Sequence, residues 1–188
     1  DVAAPVLALW LLSPAAAWWL SRARRRRAPA LSAAQRAFLR RLARRTWGFF
    51  DAHVGADDNW LPPDNLQEHP TAVVAHRTSP TNIGLSLLAG LAAYDFGYVT
   101  AGTLLERTGR TLATLRSLPR HRGHFFNWYD TRTLAPLPPR YVSTVDSGNF
   151  AGHLLTLRQG LLRLPDDDLL DARLFDGLHD TLAVIAET

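Results

Sequence analysis

Two nearly uncharged helical stretches, residues 79–94 and 146–164, alternate along this chain with amphipathic ones, and that alternation constrains the fold more than any other feature. A helix that is apolar almost all round must be covered on every side, whereas a one-sided stripe leaves its opposite face to water. The first amphipathic stretch carries Phe38, Leu39, Leu42, Thr46, Phe49 and Phe50 at helical spacing, with Arg36, Arg40, Arg41, Arg44 and Arg45 on other faces. A second sets Leu104, Leu105, Thr108, Leu112, Leu115 and Leu118 against Glu106, Arg107, Arg110 and Arg116, and a third aligns Leu170, Leu174, Leu178, Leu182 and Ile185. The order is exposed, buried, exposed, buried, exposed. An outer amphipathic ring around an inner apolar ring is what an α/α barrel requires. Five such helices cannot close a barrel of six pairs, so the reading is all-α, the opening portion of an (α/α)6 barrel. A simple helical bundle is the alternative.

Local signals mark the boundaries. Ser32 and Gln35 have the spacing of a capping box, and Gly55 ends the helix that follows. Ser79 followed by Pro80 supplies an N-cap and a first-turn proline for the first uncharged helix, which runs to about Tyr94. Between these helices, residues 56–78 contain Pro62, Pro63 and Pro70, which exclude a continuous helix. Residues 119–144 form a second irregular segment, with a hairpin expected around residues 130–133. Irregular segments of this length are usually functional or disordered.

Ahead of the barrel region, residues 2–20 (VAAPVLALWLLSPAAAWWL) are uncharged and as a helix would span roughly 28 Å, close to the thickness of a bilayer's hydrocarbon core. Trp18 and Trp19 sit where an interfacial aromatic belt would, and Arg22 and Arg24 to Arg27 follow. By the positive-inside rule, everything after the arginines faces the cytoplasm of an inner membrane. A signal peptide fits less well, since its charges should come first. A buried or amphipathic helix broken at Pro14 is the alternative. The expected organisation is therefore a transmembrane or apolar helix at 1–21, a basic linker at 22–31 and the barrel region at 32–188. The chain has no Met, which implies that it is cut from a longer protein.

The net charge is +4, but the arginine run accounts for it, and the remainder is close to neutral. Nucleic acid is therefore not an expected partner, because binding it needs a basic face spread over the folded body. Absence of Cys removes disulfides, thiolate metal sites and Cys nucleophiles. His121 and His124 have the spacing of a metal pair, but with no third ligand nearby no metal site is expected. Ser147 lies in DSGN rather than in a nucleophile elbow.

Residues suited to chemistry concentrate in the two irregular segments. The first, with LPPDNLQE and AHRTSPTNIGL, offers Asp64, Glu68, Arg77 and Asn82. The second, HFFNWYDTRTLAPLPPRYVSTVDSGN, offers Asn127, Trp128, Tyr129, Asp130, Arg140, Tyr141, Asp146 and Asn149. Carboxylates, amides, arginines and flat aromatics together suit a saccharide: polar groups bind hydroxyls in fixed geometry, and a ring face packs on a pyranose. Glycoside chemistry also needs two carboxyl groups flanking the bond. Asp146 is the residue expected to act in catalysis, the others in substrate binding. Each also has a structural reading: Asp146 and Ser79 as helix caps, Asp130 as a turn former, Trp128 as core, Arg77 and Arg140 as loop ties.

These same stretches, LPPDNLQE, AHRTSPTNIGLSLLAGLAAYDFGY and GHFFNWYDTRTLAPLPPRYVSTVDSGNFAGHLLTLRQGL, closely resemble the glycoamylase-like region of cyclic β-1,2-glucan synthases. The resemblance implies a glycoamylase-like toroid that binds linear β-1,2-glucan and cyclises it by transglycosylation. It implies no cofactor for this region, a nucleotide sugar being used elsewhere in the full-length protein. The implied partners are the glucan chain, the remaining barrel helices, other domains of the same polypeptide and the membrane. A glucan-binding or chain-measuring module, or a β-1,2-glucan hydrolase-type barrel, are the alternatives.

Overall fold

The computed structural model describes residues 3–22, 30–168 and 171–187. It divides into two compact units, residues 1–33 and 34–188. The first unit holds helix α1, Ala3–Ser21, in which no residue is buried. Pro14 does not break it. A proline removes the amide that would bond the carbonyl four residues earlier, here that of Trp10, and the Ser13 hydroxyl donates to that same carbonyl at 2.7 Å. The helix is long and apolar enough to cross a membrane. At its end the Arg22 guanidinium lies 4.2 Å from the centre of the Trp18 ring. Arg24 to Arg27, and most of the expected linker, fall outside the described residues.

The second unit contains all but the first residue of α2 (Ala33–His53), together with α3 (Pro80–Asp95), α4 (Ala101–Ser117), α5 (Thr144–Arg163) and α6 (Ala172–Ile185). Helix α3 is central, packing along α5 on one side and against α4 on another. Leu61, Ile83, Leu87, Leu115, Leu118, Tyr129, Phe150 and Leu157 form the core where these helices meet the two long loops. Each large side chain so buried contributes about 1.5–3 kcal/mol. Ser79 caps α3 as expected, its hydroxyl accepting from the Asn82 amide at 3.2 Å.

Several expectations are corrected by the packing. Helix α3 is not covered all round, since Leu85 is half exposed. On α4, Leu105 points to solvent, and the buried side runs through Leu104, Thr108, Thr111 and Leu115 instead. On α2, Trp47 is buried while Phe38, Leu39 and Leu42 remain exposed. On α6 the leucine stripe lies opposite the side that docks within this chain: Leu178, Leu182 and Ile185 are exposed here, and the buried positions are Gly177 and Asp180. Leu170 lies outside the described residues. The polar side of α6 is the one that docks, because Arg40 of α2 reaches both Asp180 oxygens at 2.8 and 3.0 Å and Arg44 reaches Thr181 at 2.9 Å. Gly97 and Gly177 let this happen. A Cβ on Gly177 would collide with the Gly97 carbonyl, and Gly97 also needs a φ of +78°.

The irregular segments prove to be stitched together by short antiparallel pairs. Within the first, β1 (Leu66–Gln67) pairs with β2 (Val73–Val74). Between the two, β3 (Arg77–Thr78) pairs with β6 (Tyr129–Asp130), Arg77 opposite Asp130 and Thr78 opposite Tyr129. In the second, β4 (Arg120–His121) and β5 (His124–Phe125) turn at Arg122–Gly123, both at positive φ. The expected turn at 130–133 also forms, Asp130 accepting from the Arg132 and Thr133 amides at 3.0 and 2.7 Å. A buried carboxylate locks the seam between the loops: Asp58 accepts from Thr131 at 2.5 Å and pairs with His76 at 2.7 Å.

Candidate functional site

Because β3 and β6 fasten the two loops immediately before α3, residues some 65 positions apart in sequence meet over the first turns of α3 and α5. Two carboxylates flank consecutive residues of α3. Asp64 accepts from Asn82 at 3.1 Å and from the Arg77 guanidinium at 3.1 and 2.9 Å. Asp146 accepts from the Thr81 hydroxyl at 2.6 Å. Asn149 donates to the same Thr81 oxygen at 3.3 Å. Above them the Arg77 guanidinium stacks 5.0 Å from the centre of the Trp128 ring.

Asp146 does not cap α5. Ser143 does, accepting from the Asp146 amide at 3.1 Å, because the motif Ser-x-x-Asp puts the serine at the cap and the aspartate in the first turn. The carboxylate is thereby released to point across to α3. Burial works to raise its pKa, but hydrogen bonds from Ser143 and Thr81 outweigh that and hold it below the usual carboxylate range.

Asn127 is 6% exposed and its amide is filled by protein partners. With Nδ2 toward Asp146 it donates at 2.8 Å, while Oδ1 accepts from the Trp128 indole and the Tyr141 hydroxyl, both at 2.7 Å. Tyr129, expected to touch substrate, is instead fully buried in the core. Its hydroxyl donates to the Pro119 carbonyl at 2.6 Å and accepts from the Phe126 amide at 2.8 Å, leaving it no surface for a ligand. Asp130 shapes its turn, and bonds from Thr133 foremost hold its carboxyl low. Glu68 and Arg140 are exposed and stand outside this hydrogen-bond network. His124 bonds Ser147 at 3.3 Å, next to Asp146. Among the described residues no group of three metal-ligating side chains comes together.

The arrangement thus unites Asp64, Arg77, Asn82, Asn127, Trp128, Tyr141, Asp146 and Asn149. Sequence reasoning missed Thr81, which links Asp146 to Asn149, and the Asp58–His76 lock; neither has a local signal, since the partners lie on distant segments.

No family model matches the chain. Its fold is that of the glucoamylase-like α/α class. It superposes on a crystal structure assigned as a glucoamylase from Bacteroides fragilis NCTC 9343 with a TM-score of 0.60 at 19% identity, covering 85% of this chain and 37% of that one. It also matches an endo-β-1,2-glucanase from Chitinophaga pinensis, in complex with sophorotriose and glucose, with a TM-score of 0.56 at 19% identity, over 82% of this chain and 37% of that one. The chain therefore holds part of a glycoamylase-like toroid. More specifically, it is 42% identical over 186 residues to the cyclic beta-(1,2)-glucan synthase NdvB of Rhizobium meliloti (strain 1021). The resemblance to cyclic β-1,2-glucan synthases read from the loops thus extends over 97% of the chain, which spans 6% of that relative's length.

Proposed function

We propose that this chain supplies the opening helices and one wall of the glucan site in the toroid of a cyclic β-1,2-glucan synthase. With the remaining helices of that toroid it binds linear β-1,2-glucan and cyclises it by transglycosylation: the anomeric carbon of one linkage passes to a hydroxyl of the chain's own non-reducing end, and the segment on the reducing side of that linkage leaves with the proton on its oxygen. The observation that carries this reading is the 42% identity to the synthase, which runs through both site-bearing loops.

In that role Trp128 offers a ring face to a pyranose, and Asp64, Asn82, Asn149 and Asp146 offer bonds to its hydroxyls. Asp146 is the carboxylate that acts on the reacting sugar. Its low pKa suits an ionised carboxylate, as nucleophile or hydroxyl clamp, rather than an acid. A second carboxyl, acting first as acid and then as base, comes from later helices. No cofactor serves this step. Helix α1 anchors the protein in the inner membrane with the toroid in the cytoplasm, where the glucan is made from a nucleotide sugar by another domain.

The likeness to an endo-β-1,2-glucanase favours a second reading, hydrolysis of the same linkage. Purified full-length synthase, given linear β-1,2-glucan and no nucleotide sugar, distinguishes the readings. Cyclic product supports the proposal. Shorter linear chains alone support hydrolysis, and binding without turnover supports a chain-measuring module.

A further inference from the structure

The hydrogen bonds around Asp146 have a direction, and that direction can be read from a group that only donates. An indole N–H has no lone pair to accept with. Trp128 Nε1 lies 2.7 Å from the Asn127 amide, so the oxygen end of that amide must face the indole. Tyr141 completes the oxygen's two acceptor positions, also at 2.7 Å. The amide nitrogen is then turned toward Asp146 Oδ2, 2.8 Å away. On the other side, Asn149 Nδ2 donates into the Thr81 oxygen, and the Thr81 hydroxyl hydrogen is directed at Asp146 Oδ1. Both carboxylate oxygens therefore receive a donor from a neutral, non-titrating side chain.

We propose that Asn127 and Thr81 are positioning residues that hold Asp146 as an acceptor-only carboxylate, with the Trp128 indole fixing the polarity of the chain. Trp128 so has two tasks: one face of its ring carries Arg77, and its edge orders the amide that aims Asp146. Asn127 itself is too buried to meet a sugar. The consequence for chemistry is definite. Going from a β-linkage to a β-linkage needs net retention, in which one carboxyl both protonates the leaving oxygen and later takes the acceptor hydroxyl's proton. Asp146, held as an acceptor, is not that group and serves as the ionised carboxylate, as nucleophile or hydroxyl clamp. The ionisable groups around it act through intermediaries: Tyr141 through Asn127, His124 through Ser147, and Asp64 with Arg77 through Asn82 beside Thr81.

This inference rests on the proposed cyclisation, so its test includes a variant that separates the two. In full-length synthase, Asp146→Asn asks whether the site is the cyclisation site at all. Asn127→Asp asks whether the amide positions the carboxylate. It places a second carboxyl within hydrogen-bond distance of Asp146, and two such groups share a proton, which raises the apparent pKa of the pair. The acid limb of the cyclisation rate against pH should move up by about one unit or more. The rate at saturating linear glucan should fall about tenfold or more, with the KM for linear glucan little changed. Glucosyl polymerisation, carried out by another domain, reports that the protein is intact. Thr81→Val, a near-isosteric change that deletes the donor to the other oxygen from a half-buried position, should also raise the acid limb, and it decides the matter should Asn127→Asp not accumulate. If Asp146→Asn abolishes cyclisation but the acid limb stays in place in Asn127→Asp, or in Thr81→Val where that variant decides, the positioning roles are overturned and the site stands. If Asp146→Asn cyclises normally, the functional reading itself fails.

Discussion

Replacing Asp146 by Asn separates folding from chemistry because the structure assigns the helix cap to a different residue. Ser143 holds the start of α5, so the substitution leaves the cap intact. What changes is the character of two bonds, from Thr81 at 2.6 Å and from Asn127 at 2.8 Å. An amide at position 146 can keep its oxygen toward Asn127 and turn its nitrogen toward Thr81, whose hydroxyl then accepts. Both bonds survive as neutral ones. Bonds to a charged group contribute about 1.5–3 kcal/mol and neutral ones about 0.5–1.5. The difference, reduced because the site is partly open to water, is about 1–2 kcal/mol in all. That lowers the melting temperature of a domain of this size by about 2–8 °C. Loss of an acting carboxylate lowers a rate about a hundredfold or more. In the full-length synthase, chromatographic separation of cyclic from linear glucan should thus show linear chains accumulating at unchanged total glucose incorporation, with a small shift in the melting curve. Cyclic glucan formed at the wild-type rate would refute the reasoning.

Three further outcomes follow from other parts of the chain. Asp180 is buried and holds Arg40 and Tyr98, so Asp180→Ala should destabilise the packing of α2 on α6 by about 2–4 kcal/mol, read as a lower denaturant midpoint; a loss within experimental error would contradict the clamp. Tyr98 is pushed up to about 12 by burial and by the Asp180 carboxylate, so the stability it confers is complete below pH 10 and lost as pH rises toward 12. Wild-type protein should therefore lose more stability than Tyr98→Phe between pH 9 and 11.5, and parallel losses would remove Tyr98 from the explanation. A reporter fused after Thr188 should be active on the cytoplasmic side of the membrane, and activity confined to the periplasm would reverse the orientation assigned to α1.

The helices were largely legible because their signals are local. Ser79–Pro80 starts α3 through a cap and a proline adjacent in sequence, and the uncharged run after it follows from burial. Asp146 shows where local reading becomes ambiguous: Ser143 and Asp146 are both competent caps, and only the geometry of the first turn decides between them. On α6 the stripe is legible but the other contact is not: two close glycines and the Arg40–Asp180 pair dock its polar side within this chain, where Leu178, Leu182 and Ile185 are exposed. Similarly, the aromatic company of Tyr129 suggests a sugar contact, whereas its register opposite Thr78 sends it into the core. The candidate site was visible as a composition but not as an arrangement, since Asp64 with Asn82, and Thr81 with Asp146, are joined only when β3 pairs with β6.

The most direct test is the structure of the full-length synthase's toroid with a β-1,2-linked oligosaccharide bound. A pyranose ring should lie against Trp128, with its hydroxyls or those of the next residue within hydrogen-bond reach of Asp64 and Asp146, and Asn127 should remain behind them without touching sugar. An oligosaccharide bound on a surface that excludes Trp128, Asp64 and Asp146 would contradict the assignment of the site.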